Sequence, residues 1–504
     1  WLFYRNVGGV YDIMNRFGKV YENKNFLLRS YEDCMVVARS SFGEVADKEY
    51  ITANKSDVLG PAGRLINNSP ALKKGELLGE HTASNSIDVP VSADCAQYTL
   101  SPGGSVRREY ELSYFHTLKE AEAVLDTKPN IEKIDTALDA DEALAISKFE
   151  TMKVRFADFK GGINPNVLNK FVRNIQKQIS FCALGKNYFG PMIGIRDVMQ
   201  QLETSLIWQP KESRRQFVTA LNYILEDGRP PRQFSVPDDE NAMPALDLRK
   251  FIDQGVWIIS TLYTYLAYTD DWSILDEKCS YYIVDENNTK VVAKSETVDT
   301  VLDHVVKVMD YLCRNVHSEN GCLHMLYGDW NDALDALGKT EDETKEFGTG
   351  VSVMASLQLY QNCSEICEIL AHTGKYTEKI EQYKAVANGL TKGLHKYAVD
   401  TNDEGVRRII HGWGDKMSYK IGSWLDPDGV TRTSSTANSF WAISGMLKND
   451  PSLKETIMSA YKALDSKYGI MTFDKAFSKD MRKYVGRISQ ITAGTYENAG
   501  TYVH

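Results

Sequence analysis

Asp329, Asp332 and Asp335 put three carboxylates within seven residues, and Trp330 and Asn331 sit among them, in the run Tyr327-Gly328-Asp329-Trp330-Asn331-Asp332-Ala333-Leu334-Asp335. An indole face can lie on the apolar face of a sugar ring while Asp and Asn take its hydroxyls. A carboxylic acid beside an aromatic wall holds its proton more readily, which suits a general acid. An equally economical reading makes Asp329 or Asn331 the cap of a following helix, with the Trp simply buried. A second cluster, Gly190-Pro191-Met192-Ile193-Gly194-Ile195-Arg196-Asp197, opens a helix that continues through Gln200, Gln201 and Glu203. Adjacent Arg and Asp at a helix start can hold hydroxyls or an anion; a capped, salt-bridged helix start accounts for them too. A third cluster closes the chain: Gly486-Arg487-Ile488, then Gly494-Thr495-Tyr496-Glu497-Asn498-Ala499-Gly500 and on to His504. Glycines around polar and aromatic residues suit a backbone that approaches a ligand closely, or a surface loop. Gly338-Lys339-Thr340 fails as a phosphate loop, because the motif's first glycine falls at Ala333 and no strand precedes it.

The elements that must position these clusters change character along the chain. Up to about Phe115 the pattern is β: Tyr110, Leu112 and Tyr114 alternate with Glu109, Glu111 and Ser113. Tyr98-Thr99-Leu100 runs into the turn cluster Ser101-Pro102-Gly103-Gly104, which predicts a hairpin with that strand. Residues 1–116 are therefore read as the later part of an antiparallel β-sandwich whose first strands precede residue 1. Residues 117–163 carry helical spacing and read as a linker. From 164 to 504 amphipathic helices are expected at 166–183, 193–209, 211–226, 247–268, 296–315, 349–374, 377–398, 435–447 and 451–464. Helices of that length bury their faces only against one another, and no fixed repeat favours a solenoid. The fold class expected is mainly α, with a closed barrel of paired helices and the chemistry on loops at one end.

Composition excludes several classes. The chain of 504 residues has 58 basic against 68 acidic side chains, a net charge of −10, unlike a nucleic-acid footprint. Its 43% hydrophobic and 25% charged content is that of a folded globular chain. No apolar run reaches the roughly 18 residues that span a bilayer. Position 1 is Trp, and no charged-then-apolar leader follows, so the start reads as the interior of a longer polypeptide. The eight cysteines lack any C-x-x-C pair and are expected to be reduced thiols of a cytoplasmic protein.

At the three clusters the sequence resembles glycoside hydrolase family 94, the inverting β-glucoside phosphorylases. The carrying residues are Gly328-Asp329-Trp330-Asn331-Asp332, Gly194-Ile195-Arg196-Asp197, and the tail from Gly486-Arg487-Ile488 through Gly494-Thr495-Tyr496-Glu497-Asn498-Ala499-Gly500 to His504. The resemblance covers residues about 98–504 and implies an N-terminal β-sandwich, linker helices and an (α/α)6 barrel, incomplete at its C-terminus. It implies that Asp332 is the general acid and that Trp330, Arg196 and Asp197 surround the sugar at the cleaved bond. Gln200, Asp329, Tyr496 and Glu497 would bind sugar hydroxyls and His504 would contact phosphate. Further phosphate ligands, a Thr-Gly pair, would lie beyond residue 504, so a chain ending there is expected to be inactive. Departures occur at Gln201, where many members have Asp, at Pro191, where many have Arg, and at Gly350-Val351-Ser352-Val353-Met354 in place of a Gly-Glu-Ser-Val-Trp start. These point away from simple cellobiose or chitobiose phosphorolysis, and the wording is nearer the 1,2-β-oligoglucan phosphorylases.

The chemistry this implies needs one acid. An inverting hydrolase seats a water between two carboxyls roughly 6.5–9.5 Å apart; phosphate is already an anionic nucleophile, so no base is required. Asp332 would protonate the leaving oxygen of a β-linked gluco-oligosaccharide, giving α-glucose 1-phosphate, with inorganic phosphate as substrate and no metal or organic cofactor. The alternatives are a phosphorylase of another β-gluco-disaccharide (cellobiose, laminaribiose or cellodextrin), an inverting (α/α)6 hydrolase, and a non-catalytic glycan-binding fragment. A terpene cyclase would need a dry aromatic cavity rather than Arg, Gln and Glu. Homodimers are common in the resembled family.

Overall fold

The computed structural model describes residues 36–60, 68–83, 90–115, 164–184, 192–207, 209–237, 243–285 and 288–501, with shorter stretches at 2–3, 16–20, 26–30, 119–120, 123, 135–137, 139–140, 143, 155–157 and 162. Two compact units divide it, Trp1–Ser147 and Lys148–His504. Most of 117–163, read as linker helices, lies outside the described residues, as do Gly190, Pro191 and His504.

Among the described residues the first unit holds two antiparallel sheets. One has strands β1 (Leu2–Phe3), β6 (Pro90–Gln97) and β5 (Lys48–Asn54) in the order β1-β6-β5, and the other has β2 (Arg16–Val20), β3 (Phe26–Ser30), β4 (Val36–Gly43) and β7 (Arg108–Phe115) in the order β2-β3-β4-β7. The expected hairpin is not there. The turn at Ser101–Gly104 forms, with Gly104 N donating to Ser101 O at 2.8 Å, but it leads from one sheet to the other. Strand β7 pairs instead with β4, Val36 opposite Phe115 and Gly43 opposite Arg108. Period-2 patterning gives a strand's faces but says nothing of its partner.

The second unit is helical. Its long helices are α1 (Pro165–Leu184), α2 (Ile195–Ser205), α3 (Pro210–Leu221), α4 (Asp253–Thr269), α5 (Val301–Arg314), α6 (Val353–Thr373), α7 (Ile380–Gly393), α8 (Ser435–Ile443) and α9 (Lys454–Leu464). They alternate in role. Helices α2, α4, α6 and α8 pack in succession and line one central cavity, while α3, α5, α7 and α9 pack behind them. The fold is mainly α, of the (α/α)6-barrel type, as the sequence pattern predicts. One buried cluster runs through it, including Met199 and Leu202 of α2, Ile258 and Leu262 of α4, Val305 and Met309 of α5, and Leu357 and Ile366 of α6. Each such side chain removed from water contributes about 1.5–3 kcal/mol. Helix α5 shows why the local sequence starts where it does. Thr300 accepts from Asp303 N at 3.2 Å while the Asp303 carboxylate accepts from Thr300 N at 2.8 Å, a reciprocal cap.

Two helix starts lie five or more residues from the sequence expectation. The helix expected from 296 begins at Val301, because Lys278–Asp285 (β11) and Asn288–Thr300 (β12) form an antiparallel hairpin. The helix expected from 247 begins at Asp253. Residues 246–252 are committed elsewhere. Leu246–Asp247 (β10) pairs with Gln233–Ser235 (β9), which pairs with Met192–Gly194 (β8), while Lys250 O accepts from Tyr327 N at 3.0 Å and Ile252 N donates to Gly328 O at 3.0 Å. Helical patterning continues through this stretch, but backbone bonds to the 326–328 segment win. Cys95, Cys279, Cys313, Cys322, Cys363 and Cys367 are free thiols, and no described helix is long and apolar enough to cross a membrane.

Candidate active site

The inner helices α2, α4 and α6 begin at one end of the barrel, and the 327–338 loop enters there between α5 and α6. The loop holds itself in shape. Asp329 is 0% exposed; its carboxylate accepts from Ser352 Oγ at 2.5 Å, the side chain that also caps α6, and from Asn331 N at 3.0 Å. Asn331 Oδ1 accepts in turn from Ala333 N at 3.3 Å. Gly328 allows the loop to lie flat on Phe251, whose ring stands 2.7 Å from where a Cβ would be. No helix follows directly, since the next long one is α6, so neither Asp329 nor Asn331 is the helix cap weighed as an alternative. Nor does Asp329 face a sugar, as the resemblance implied: burial encloses it, and its two oxygens are spent on the loop and the α6 cap. Burial also pushes its carboxyl pKa up from the ordinary value.

Asp332 comes out differently. Its side chain is 21% exposed, and two guanidinium groups grip it: Arg196 Nη2 donates to Oδ1 at 3.1 Å, and Arg232 Nη2 donates to Oδ2. Arg196 sits in the first turn of α2 and is itself buried. Its Nη1 donates to Asp253 Oδ2 at 2.8 Å and to Asp329 O at 3.3 Å, and its backbone N–H donates to Gln254 Oε1 at 3.0 Å. Burial works against the Arg196 charge, but Asp253 and Asp332 outweigh it and raise its pKa. Asp253 is fully buried, which pushes its carboxyl up despite Arg196. Arg232 lies over the Phe251 ring, 4.9 Å from its centroid, and its Nη1 donates to Asp247 Oδ2 at 3.2 Å.

From the other side, the tail packs on the loop. Ile488 N donates to Ala333 O at 2.8 Å, Arg487 Nε to Asp335 Oδ2 at 2.6 Å, and Arg487 Nη2 to the Asp332 backbone oxygen. Leu334, Phe473, Phe477, Ile488 and Ala499 share one buried cluster. His411 is buried beside Asp329. Its Nδ1 meets Ser434 Oγ at 2.9 Å, its Nε2 lies 4.0 Å from Asp329 Oδ2, and burial pushes its pKa down to about 4.

The remaining sequence candidates divide between places. Trp330 and Gln200 line the central cavity, about 670 Å³, with Glu203, Trp257, Gln358 and Phe440. Asp197 Oδ2 lies against Gly194 at the start of α2, where a Cβ on that glycine would meet it. On the tail, Tyr496 is exposed and Glu497 half-buried, and the Glu497 carbonyl accepts from Thr472 Oγ1 at 2.8 Å. The structure thus brings Asp332, Trp330 and Arg196 to one end of the barrel. Sequence reasoning missed Arg232, Asp253 and His411. Arg232 is 100 positions from Asp332, in Gly228-Arg229-Pro230-Pro231-Arg232, and nothing in that local spacing announces it.

Residues 169–504 match the glycosyl hydrolase 94 superfamily, catalytic domain. The chain belongs to that superfamily. Solabiose phosphorylase of Paenibacillus borealis is 24% identical over 334 residues, which is 66% of this chain and 38% of that protein. The cyclic β-(1,2)-glucan synthase NdvB of Rhizobium meliloti is 24% identical over 491 residues, 92% of this chain and 16% of that protein. The chain therefore spans well under half the length of these relatives. Among solved structures, a bacterial glucoamylase complexed with acarbose superposes with a TM-score of 0.52 at 11% identity, covering 97% of this chain and 64% of that one. That likeness is one of fold.

Proposed function

We propose that this chain carries the acid-bearing part of an inverting β-glucoside phosphorylase, with Asp332 as its proton donor. One observation carries the reading. Of the carboxylates gathered beside Arg196, Asp253 and Asp329 are enclosed and committed, whereas Asp332 opens to solvent two residues from the indole that lines a sugar-sized cavity. Asp332 would protonate the glycosidic oxygen; the C1–O bond breaks, and a phosphate oxygen attacks C1 from the opposite face to give α-glucose 1-phosphate. Trp330, Gln200, Asp197, Glu497 and Tyr496 are proposed to contact sugar and His504 phosphate. The superfamily membership and the likeness to a phosphorylase support the reaction class, and the likeness to a β-(1,2)-glucan synthase across most of the chain supports β-1,2-linked oligoglucosides as substrate. A cytoplasmic location, a homodimer and the lack of any cofactor other than substrate phosphate belong to the same proposal.

A second reading, an inverting hydrolase, draws on Glu203. It lines the cavity with Trp330, and burial pushes its carboxyl up to about 7, a value suited to a base. The full-length protein incubated with β-1,2-gluco-oligomers, with and without phosphate, separates the two. Glucose 1-phosphate formed only with phosphate supports the phosphorylase; free glucose released without phosphate supports the hydrolase.

A further inference from the structure

Hydrogen-bonding capacity is left unspent at one level of the central cavity. Gln358, in the second turn of α6, and Ser435, the first residue of α8, both line it and are each 3% exposed. Neither Gln358 Oε1 nor Ser435 Oγ has a hydrogen-bond partner among the described residues. One turn further along the inner helices the cavity's polar groups are committed. Glu203 accepts from Thr261 Oγ1 at 3.0 Å, Gln361 Nε2 donates to Glu365 Oε1 at 2.7 Å, and Ser260 Oγ donates to Glu365 Oε2 at 3.0 Å. Buried polar atoms are ordinarily satisfied, so two left open on one cavity wall call for a partner that arrives from outside.

The same level carries an aromatic wall. Trp257, in the second turn of α4, meets Phe440 of α8 edge to face, with ring centroids 5.9 Å apart. Its Nε1 donates to Asp253 Oδ2 at 3.3 Å, and Asp253 holds Arg196, which holds Asp332. The wall is thus tied to the candidate acid through two side chains. Charge is scarce here. Among the described residues no Lys, Arg or His lines the cavity, and Glu203 is its single acidic residue. An anion would meet no cation, whereas a neutral sugar ring can turn hydroxyls to the amide and the serine and its apolar face to the indole.

We propose that Gln358 and Ser435 read hydroxyls of a neutral hexose held in this cavity against Trp257, and that this hexose is the glycosyl unit of the substrate. They are specificity-determining residues: a uronate in the same place would bring its carboxylate into a cavity that offers Glu203 and no cation. The hexose's role as glycosyl unit rests on the phosphorylase reading; its binding does not.

Calorimetric titration of the full-length protein with methyl β-glucoside tests the site without any turnover. Gln358→Met and Ser435→Ala are each expected to bind it about tenfold more weakly than wild type, and wild type is expected to bind methyl β-glucuronide at least tenfold more weakly than the glucoside. Gln358→Leu and Ser435→Cys, checked for cooperative melting, replace a variant that fails to fold. A panel of monodeoxy methyl β-glucosides separates contact from mere support of the fold. For each variant, the analogue lacking the hydroxyl that its residue reads should bind as well as the parent glucoside, while wild type still prefers the parent. Wild type binding no glucoside, or binding the glucuronide equally well, overturns the proposal. So do variants that bind the glucoside as wild type does, or that lose affinity for every analogue alike. Glucoside binding without phosphate-dependent formation of glucose 1-phosphate from the oligomer would remove the phosphorylase reading while leaving the hexose site standing.

Discussion

Arg196 donates to Asp332 at 3.1 Å with one nitrogen and to the fully buried Asp253 at 2.8 Å with the other, so a single guanidinium ties the candidate acid to the barrel's interior. Replacing Arg196 with Met leaves Asp253 buried without its cation. The expected loss of stability is about 3–5 kcal/mol. Asp253→Asn in the same background should recover part of it, because it removes the uncompensated charge. Denaturant titrations of the wild type, both single variants and the double variant measure this directly; a double variant no more stable than Arg196→Met contradicts it.

His411 predicts how stability responds to acid. Its pKa is about 4 when folded and near the ordinary 6.5 when unfolded. Between those values the unfolded chain binds the proton and the folded one does not. Stability therefore rises with pH across this window and is lost as pH falls from 6.5 toward 4. The contribution is of order 1–3 kcal/mol. His411→Gln should flatten the pH dependence of the urea midpoint in that window.

Gly486 has φ +79° where the tail turns onto the loop, and a Cβ there would run into the Asp335 carboxylate that holds Arg487. Gly486→Ala should cost about 1–3 kcal/mol and loosen the Arg487 bond to the Asp332 carbonyl. A fall in melting temperature together with reduced turnover is expected, and unchanged values of both would show that the tail does not support the loop.

Trp330 is expected to act on sugar binding more than on the chemical step. Trp330→Ala should raise KM for oligosaccharide about tenfold or more, whereas Trp330→Phe keeps an aromatic face and should lose less. Steady-state kinetics at saturating phosphate separate the two parameters.

How far the sequence went can be judged from particular elements. The helices were legible because their apolar faces recur at helical spacing, and α5 and α6 carry readable caps at Thr300 and Ser352. The β11–β12 hairpin was overlooked because its Val-rich second strand runs directly into an amphipathic helix. Asp332 and Trp330 stood out because chemistry-bearing residues were dense around them. Asp329 looked equivalent in sequence and proved to be a buried brace, since accessibility depends on which neighbours close over a side chain. Arg232, Asp253 and His411 come from separate segments, and only the folding of 246–252 and of the inner helices brings them to the site.

The central claim is that Asp332 supplies the proton to the leaving group. The most direct measurement compares full-length wild type with Asp332→Asn on a β-1,2-gluco-oligomer and on β-glucosyl fluoride, following phosphate-dependent α-glucose 1-phosphate formation. Fluoride departs without a proton donor, so the account predicts that oligomer turnover falls by roughly 10²–10⁴ while fluoride turnover is largely kept. Equal loss on both substrates, or full turnover of the oligomer by Asp332→Asn, would contradict it.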